Sequence, residues 1–206
     1  MSVRVYWLDC REVDPESGRV LALMSPRRLE KLRSIPAGQG RRQSAAAELA
    51  LVMAMAHERA DGLRIVEWYP LEGGKPVAAD TPHFCLAHAG DVAVCAVSDA
   101  PVGVDVEPAR SISPGMRRKI FSAAEQSRAD ADMLWTWVAK ESYIKMTGEG
   151  LRRSMAGFSA SEGEILNEDG GRLACVRTAP IEWRDYTMCV CTERPQQIDV
   201  LRLRWN

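Results

Sequence analysis

The hydrophobic period of the chain changes at His83, and this change constrains the fold more than any other feature of the sequence. Before it, a basic stretch opened by Ser25 and Pro26 and an Ala-rich stretch over residues 41–59 have the composition of helices. After it, apolar residues alternate with a period of two in short runs separated by turn residues, which predicts an antiparallel meander. The predicted strands of this meander are residues 84–88, 92–97 and 102–107.

The second half of the chain again mixes helices with strands. Residues 122–147 form a helical stretch with a break near Arg128, and the turn-forming residues 167–171 predict a hairpin. Antiparallel strands interrupted by long helices favour an α+β fold over a doubly wound sheet. The remaining predicted elements are strands over residues 3–8, 186–192 and 198–203 and a helix over residues 114–120.

Composition excludes several classes of protein. With 206 residues, 46% apolar and 27% charged, the chain is long enough to bury a core and is not disordered. Its net charge of −1 gives no overall basic excess that would favour nucleic acid or an anionic membrane. No apolar run reaches the roughly 18 residues of a membrane span, and the charged N-terminus is not a signal peptide. We therefore expect a soluble protein.

The six cysteines include no CxxC pair. This usage predicts buried, reduced thiols and a reducing cytoplasmic compartment. Cys189 and Cys191 alternate around Val190, so on a strand both would face the core.

Positive charge is concentrated in residues 25–42, which contain a single acid, Glu30. A charge run of this kind is most often a solvated helix face. Several cations together can also bind a multiply charged phosphate ligand, so the residues alone leave both interpretations open. The basic residues of this segment are Arg27, Arg28, Lys31, Arg33, Arg41 and Arg42.

Two acids share one face of the predicted strand over residues 102–107. Alternation places Asp105 and Glu107 opposite the valines of this strand, beside Gly103, which leaves space for a ligand or another backbone. Carboxylates two residues apart on one face can converge on a single hard cation. An amphipathic strand with its acids in water is the simpler alternative.

A helical segment over residues 137–145 presents a second charged group. Trp137, Glu141 and Lys145 fall within about 80° of one another on a helix, on the same stripe as Leu134 and Ile144. This places the two charges on the apolar, core-facing side. An ordinary surface ion pair four residues apart is the alternative, since Glu before Lys is the favourable order.

Four further residues have side chains suited to phosphate binding or to capping. Lys75, in a Gly-Gly-Lys-Pro loop, and His88, at the end of a predicted strand, can donate to phosphate oxygens, although a single histidine is more often structural. Ser122 and Glu125 have the form of a capping box, which by itself accounts for Glu125.

These segments, in this order, resemble the signature motifs of the Sfp-type 4'-phosphopantetheinyl transferase family. The similar motifs are GVDVE, FSAAE and WVAKESYIK followed by GEGL, with an upstream GKP and the strand FCLAH. The single-lobe synthase type of this family is markedly shorter, so the chain length favours the two-lobed type. Cys85 and Ala87 stand where the family commonly has Asn and Ser, and Glu149 stands where many members have a base.

The resemblance implies a function and a mechanism. The family transfers the 4'-phosphopantetheine arm of coenzyme A to a serine of an apo acyl or peptidyl carrier protein and releases adenosine 3',5'-bisphosphate. By resemblance, Asp105, Glu107 and Glu141 bind Mg²⁺, Glu141 is the base for the serine, directly or through water, and Lys145 holds the diphosphate. The residues expected near the nucleotide are Arg28, Lys31, Ser44, Lys75, Pro76, His88 and Lys145.

The resemblance also implies the architecture and the partners. We expect a pseudo-dimeric α+β fold of two similar lobes, residues 1–98 and 99–206, each an antiparallel sheet packed on a long helix, with the active site in the cleft between them. The protein would be a cytoplasmic monomer that binds coenzyme A and a carrier protein, without nucleic acid or membrane partners. The alternatives are a Mg²⁺-dependent phosphate-ester or nucleotide hydrolase and a non-catalytic module that binds coenzyme A or a carrier.

Overall fold

The computed structural model describes residues 2–181 and 185–205 and has the predicted α+β fold. Its strands form a four-stranded sheet, a five-stranded sheet and a two-stranded ribbon. The helices are α1 (Gly18–Leu21), α2 (Pro26–Ser34), α3 (Gln39–Arg59), α4 (Pro114–Ile120) and α5 (Asp130–Thr147). The strands are β1 (Ser2–Asp9), β2 (Tyr69–Pro70), β3 (Pro76–Val77), β4 (His83–Ala89), β5 (Val92–Ser98), β6 (Val102–Pro108), β7 (Phe158–Ser161), β8 (Glu164–Asn167), β9 (Arg172–Thr178), β10 (Tyr186–Thr192) and β11 (Gln197–Arg202).

The first sheet has the strand order β11-β1-β5-β4 and packs one face against α3. The small and apolar residues of α3 bury most of its length against this face, and the helix ends at Ala60 in the left-handed conformation. As predicted, Ser25 caps α2, because its hydroxyl accepts a hydrogen bond from the backbone N–H of Arg28. The strand β11 pairs in parallel with β1, Ser2 opposite Gln197. The boundary expected at residue 98 therefore separates the two sheets except for this last strand.

The second sheet has the order β6-β10-β9-β8-β7, is antiparallel throughout and packs one face against α5. The predicted meander is therefore wrong at its third strand, because β6 pairs with β10 and not with β5. Alternation identifies a strand but not its partner. The backbone N–H of Val104 donates to the Cys85 sulfur at 3.3 Å, so β6 contacts β4 through a side chain and not through a backbone ladder.

A third apolar cluster contains residues from the other faces of both sheets. On β1, Tyr6 and Leu8 belong to the core against α3, while Val5 and Trp7 belong to this shared cluster. All six cysteines are free and buried, and Cys189 and Cys191 both lie in the core against α5, as predicted. Among the described helices, none has the length and hydropathy needed to cross a bilayer.

Candidate active site

The acids of β6 and the charged residues of α5 meet because Gly103 lets the strand and the helix approach closely. A Cβ at residue 103 would clash with the carbonyl oxygen of Ser142 and lie 2.5 Å from the backbone nitrogen of Met146. At this spacing the Lys145 ammonium donates to Asp105 Oδ1 at 2.6 Å. The alternative of a surface pair between Glu141 and Lys145 is therefore wrong: the short-range partner of Lys145 is on the neighbouring strand.

The electrostatics of this group favour a protonated lysine and a basic glutamate. Burial disfavours the charged ammonium of Lys145, but the carboxylate of Asp105 outweighs it and raises the pKa of Lys145. Burial also raises the pKa of Glu141, and the nearby charge of Asp105 raises it further. A carboxylate with a raised pKa accepts a proton more readily near neutral pH.

The two carboxylates of β6, Asp105 and Glu107, differ in whether an oxygen without a hydrogen-bond partner is left to bind a cation. The second oxygen of Asp105 is buried and has no hydrogen-bond partner among the described residues. The carboxylate of Glu107 accepts from Arg110 at 3.2 Å and from the Trp137 indole at 3.4 Å. Over residues 2–181 and 185–205, no three acidic, histidine or cysteine side chains are already assembled as a metal site. The unpartnered oxygen of Asp105 fits a hard cation, because it is a buried acceptor that lacks a donor.

Glu141 and Lys145 line a cavity of about 700 Å³. The sequence predicted that they face the core, whereas both are partly exposed to this cavity. The lining includes the loop over residues 73–76 and apolar residues of α4 and α5. The other residues of this lining include Trp137, Ile144, Met116, Ile120, Met155, Lys119 and Arg153.

Arg28 and Ser44, predicted near the nucleotide, belong to one buried network. The Arg28 guanidinium donates to Glu48 Oε2 at 2.7 Å and to the Ser44 hydroxyl at 2.8 Å. The fully buried Glu48 also accepts from the backbone of Ser25 and from the Trp68 indole. These bonds hold the side chain of Arg28, a residue of α2, against α3.

His88 lies within electrostatic range of Arg28 in this network and of Lys145 on α5. The residue is exposed, yet the surrounding protein partly desolvates its imidazole, and the positive charges of Lys145, Lys31 and Arg28 also act on it. Together they lower the pKa of His88 to about 4. Burial and the charge of Arg28 likewise lower the pKa of Lys31. Residues predicted from separate parts of the sequence therefore interact electrostatically.

Lys75 and Pro76 lie in the wall of the same cavity. The Lys75 ammonium donates to the carbonyl oxygen of Met146 at 2.6 Å and to that of Val102 at 3.2 Å. Its donors are directed into the protein, at the ends of α5 and β6.

Comparison with known proteins shows what this chain is similar to. The sequence pattern of the 4'-phosphopantetheinyl transferase superfamily matches residues 101–191. The 4'-phosphopantetheinyl transferase psf-1 of Bacillus pumilus is 37% identical over 141 residues, 59% of this chain and 58% of that protein. The 4'-phosphopantetheinyl transferase Sfp of Bacillus subtilis strain 168 is 25% identical over 210 residues, 95% of this chain and 93% of that protein. The resemblance predicted from the motifs is confirmed: the chain is similar to 4'-phosphopantetheinyl transferases.

Sequence reasoning missed the fully buried ion pair between Lys140 and Glu125. The Lys140 ammonium also donates to the carbonyl oxygens of Ile120 and Met155, and Glu125 accepts from the backbone of Ala160 at 2.7 Å. The signal for Lys140 was its position seven residues after Met133, which places it on the core-facing stripe of α5.

The capping interpretation of Glu125 is correct only in part. The carboxylate does reach back to the backbone N–H of Ser122 at 2.9 Å, but residues 122–127 form turns and not a helix. The helix predicted over residues 122–147 is therefore confirmed only from Asp130, where α5 begins. A capping role alone does not account for a side chain that also binds a buried lysine.

The positions that depart from the family motif have local partners. Cys85 and Ala87 are buried in the cluster shared by the two sheets. Glu149, at the end of α5, forms an ion pair with Arg153 at 3.0 Å, which lowers its pKa although burial opposes the shift.

Proposed function

We propose that this protein transfers the 4'-phosphopantetheine arm of coenzyme A to the serine hydroxyl of an apo acyl or peptidyl carrier protein and releases adenosine 3',5'-bisphosphate. The observation that supports this most is the contact between Asp105 and Lys145, with Glu141 beside it, at a cavity open to solvent. The segment that matches the superfamily, residues 101–191, contains these three residues.

The three acids Asp105, Glu107 and Glu141 are the proposed Mg²⁺ ligands. The unpartnered oxygen of Asp105 supports this assignment, since a buried acceptor of this kind suits a hard cation. When bound, Mg²⁺ would neutralise negative charge on the diphosphate of coenzyme A.

Glu141 and Lys145 are the proposed catalytic residues. Glu141 takes the proton of the carrier serine, because burial and neighbouring acids raise its pKa and make it a stronger base. Lys145 donates to the diphosphate and stabilises the charge that develops on the leaving phosphate oxygen as the P–O bond breaks. Its raised pKa keeps the ammonium protonated for this role.

The basic residues of the first sheet and α2 are proposed to bind the nucleotide. Lys31 and Arg28 contact the 3'-phosphate, with the Ser44 hydroxyl beside them and His88 between this phosphate and the diphosphate. Pro76 contacts the nucleotide from the loop wall. The mutual electrostatic effect of these cations supports their convergence on one anion.

The helix α4 is the proposed contact for the carrier. It presents Arg117, Arg118 and Lys119 next to the cavity wall formed by Met116, which suits the acidic surroundings of a carrier serine.

We also propose the arrangement in which these contacts occur. The chain forms two similar lobes, residues 1–98 and residues 99–206, with the active site in the cleft between them; β11 of the second lobe pairs with β1 of the first. The protein acts as a cytoplasmic monomer.

The mass of an intact apo carrier domain, incubated with the protein, coenzyme A and Mg²⁺, tests this function. Addition of the arm supports the transferase; breakdown of coenzyme A without carrier indicates the hydrolase, and binding without turnover indicates the non-catalytic module. A panel of fatty-acid, polyketide and peptide-synthetase carriers identifies the partner class.

Substitution of the acids tests the assigned roles. Asp105→Ala and Glu141→Gln should each abolish transfer while leaving the fold largely intact, because several kcal/mol of transition-state stabilisation are lost. Turnover near the wild-type rate at saturating Mg²⁺ in either variant would refute the assignment.

A further inference from the structure

The side chain of Lys75 connects three parts of the chain. It lies in the loop between β2 and β3, and its ammonium bonds the carbonyl oxygens of Met146, in the last turn of α5, and of Val102, the first residue of β6. Burial lowers its pKa, because desolvation disfavours the charged ammonium. The last carbonyls of a helix have no partner within the helix, and a lysine there also interacts favourably with the helix dipole.

The two elements that Lys75 joins are those that position the catalytic group. Asp105 is three residues after Val102 on β6, and Lys145 is next to Met146 on α5. Gly103 already allows α5 to lie against β6. A donor that bonds the backbones of both elements therefore fixes the position of α5 along β6. The 2.6 Å contact between Asp105 and Lys145 depends on that position.

The loop that holds Lys75 is itself fitted to the end of α5. A Cβ at Gly73 would clash with the carbonyl oxygen of Gly148, and a Cβ at Gly150 would lie 2.7 Å from the carbonyl oxygen of Gly73. A Cβ at Gly148 would lie 3.4 Å from the Cβ and Cδ atoms of Lys75. Backbone therefore packs on backbone here, which leaves the lysine little freedom to turn toward a ligand.

From these contacts we propose that Lys75 is a positioning residue, which ties α5 to β6 and so sets the contact of Lys145 with Asp105, and that its ammonium does not bind a phosphate of coenzyme A. This inference rests on the proposed transferase function. It replaces the expectation from the sequence that the Lys75 side chain contacts the nucleotide.

Kinetics of the full-length variant Lys75→Met distinguish the two roles, because methionine keeps the aliphatic length and removes the donors. A positioning role predicts a kcat lowered about tenfold to a hundredfold, with the ratio of KM values for coenzyme A and dephospho-coenzyme A unchanged. Lys75→Arg, which retains donors, should recover part of the kcat. Lys31→Ala is the matched control, since loss of a phosphate contact should change that ratio.

Hydrogen exchange gives a readout independent of turnover. In Lys75→Met the amides at the end of α5, over residues 145–149, should exchange faster than in the wild type, while those in the middle of α3 should not change. If Lys75→Met does not fold, the same exchange is measured on Lys75→Gln, which keeps one donor and should show a smaller increase.

A KM for coenzyme A that rises in Lys75→Met, with the dephospho form unaffected, would overturn the inference and make Lys75 a phosphate ligand. Unchanged kcat and unchanged exchange would also overturn it. If the wild type shows no transfer at all, the proposed function fails, and the exchange measurement still decides whether Lys75 holds α5 against β6.

Discussion

At the scale of single residues, desolvation and the nearby charges of Lys145, Lys31 and Arg28 set the protonation state of His88. With a pKa lowered to about 4, the imidazole of the free protein is neutral at pH 6. A bound phosphate dianion would favour the imidazolium, so binding should raise this pKa and take up a proton. His88→Gln lacks the titrating group and should not take up this proton.

Calorimetric titration at pH 6 with adenosine 3',5'-bisphosphate, in EDTA and in two buffers of different ionisation enthalpy, measures this uptake. The difference between the wild type and His88→Gln isolates the imidazole from protons that the phosphate itself releases. Equal proton counts for the two proteins would place His88 away from the phosphates.

Lys31 provides a second residue-scale prediction. It is an exposed cation near Arg28, and among the described residues Arg28 bonds Glu48 directly, whereas the charge of Glu48 acts on Lys31 only through space. Lys31→Ala should raise KM for coenzyme A about tenfold with little change in kcat, because the contact is equal in ground and transition states. Dephospho-coenzyme A, which lacks the 3'-phosphate, should be used almost as well as by the wild type.

The KM values for coenzyme A and dephospho-coenzyme A together interpret this result. If Lys31→Ala raises both KM values equally, Lys31 stabilises α2 or contacts the carrier. If neither KM changes, the basic segment is the solvated helix face that its charge alone favoured.

At the scale of elements, Lys140 binds two connecting segments to α5. Its ion pair with Glu125 holds the segment between α4 and α5, and its bond to the carbonyl oxygen of Met155 holds the segment before β7. Lys140→Met leaves the Glu125 carboxylate buried without its cation, which should lower the free energy of unfolding by about 3 to 5 kcal/mol. Urea unfolding followed by circular dichroism measures the loss. Glu125→Gln should also destabilise the protein, contrary to a simple capping role.

The double variant Lys140→Met with Glu125→Gln serves as the control. Because it removes both charges, it should be more stable than the sum of the two single losses implies. A loss below about 1 kcal/mol in Lys140→Met would mean that solvent reaches this pair.

Most elements could be predicted because their signals are local. The Ser25 cap and the alternation in residues 92–97 depend only on neighbours along the chain, and both are confirmed. Strand partners are not local, so β6 was assigned to the wrong sheet. The charged groups Asp105, Glu141 and Lys145 were found as motifs, but the pairing of Lys145 with Asp105 depends on how two elements pack. The bonds of Lys75 to backbone carbonyls have no sequence signal.

At the scale of the whole molecule, β11 completes the first sheet. Its Leu201, together with the following Leu203 and Trp205, packs on the core against α3. Deletion of residues 197–206 should therefore destabilise the first sheet by several kcal/mol, since it exposes apolar surface and one edge of β1. Thermal unfolding of the truncated chain measures this effect.

A polar substitution provides the comparison for the truncation. Gln197 is exposed at the start of β11, so Gln197→Ser should leave the melting temperature almost unchanged. A truncated chain as stable as this variant would show that the first sheet is complete with three strands.

The parallel pairing of β1 with β11 also affects how the chain folds while it is being synthesised. One edge of β1 pairs with β5, but the other must wait for a partner that lies 195 residues later, from Ser2 to Gln197. At a synthesis rate of about 5 to 20 residues per second, that interval is about 10 to 40 s. During synthesis the nascent chain therefore presents an unpaired strand edge for far longer than a hairpin takes to close, which exposes it to aggregation until β11 emerges.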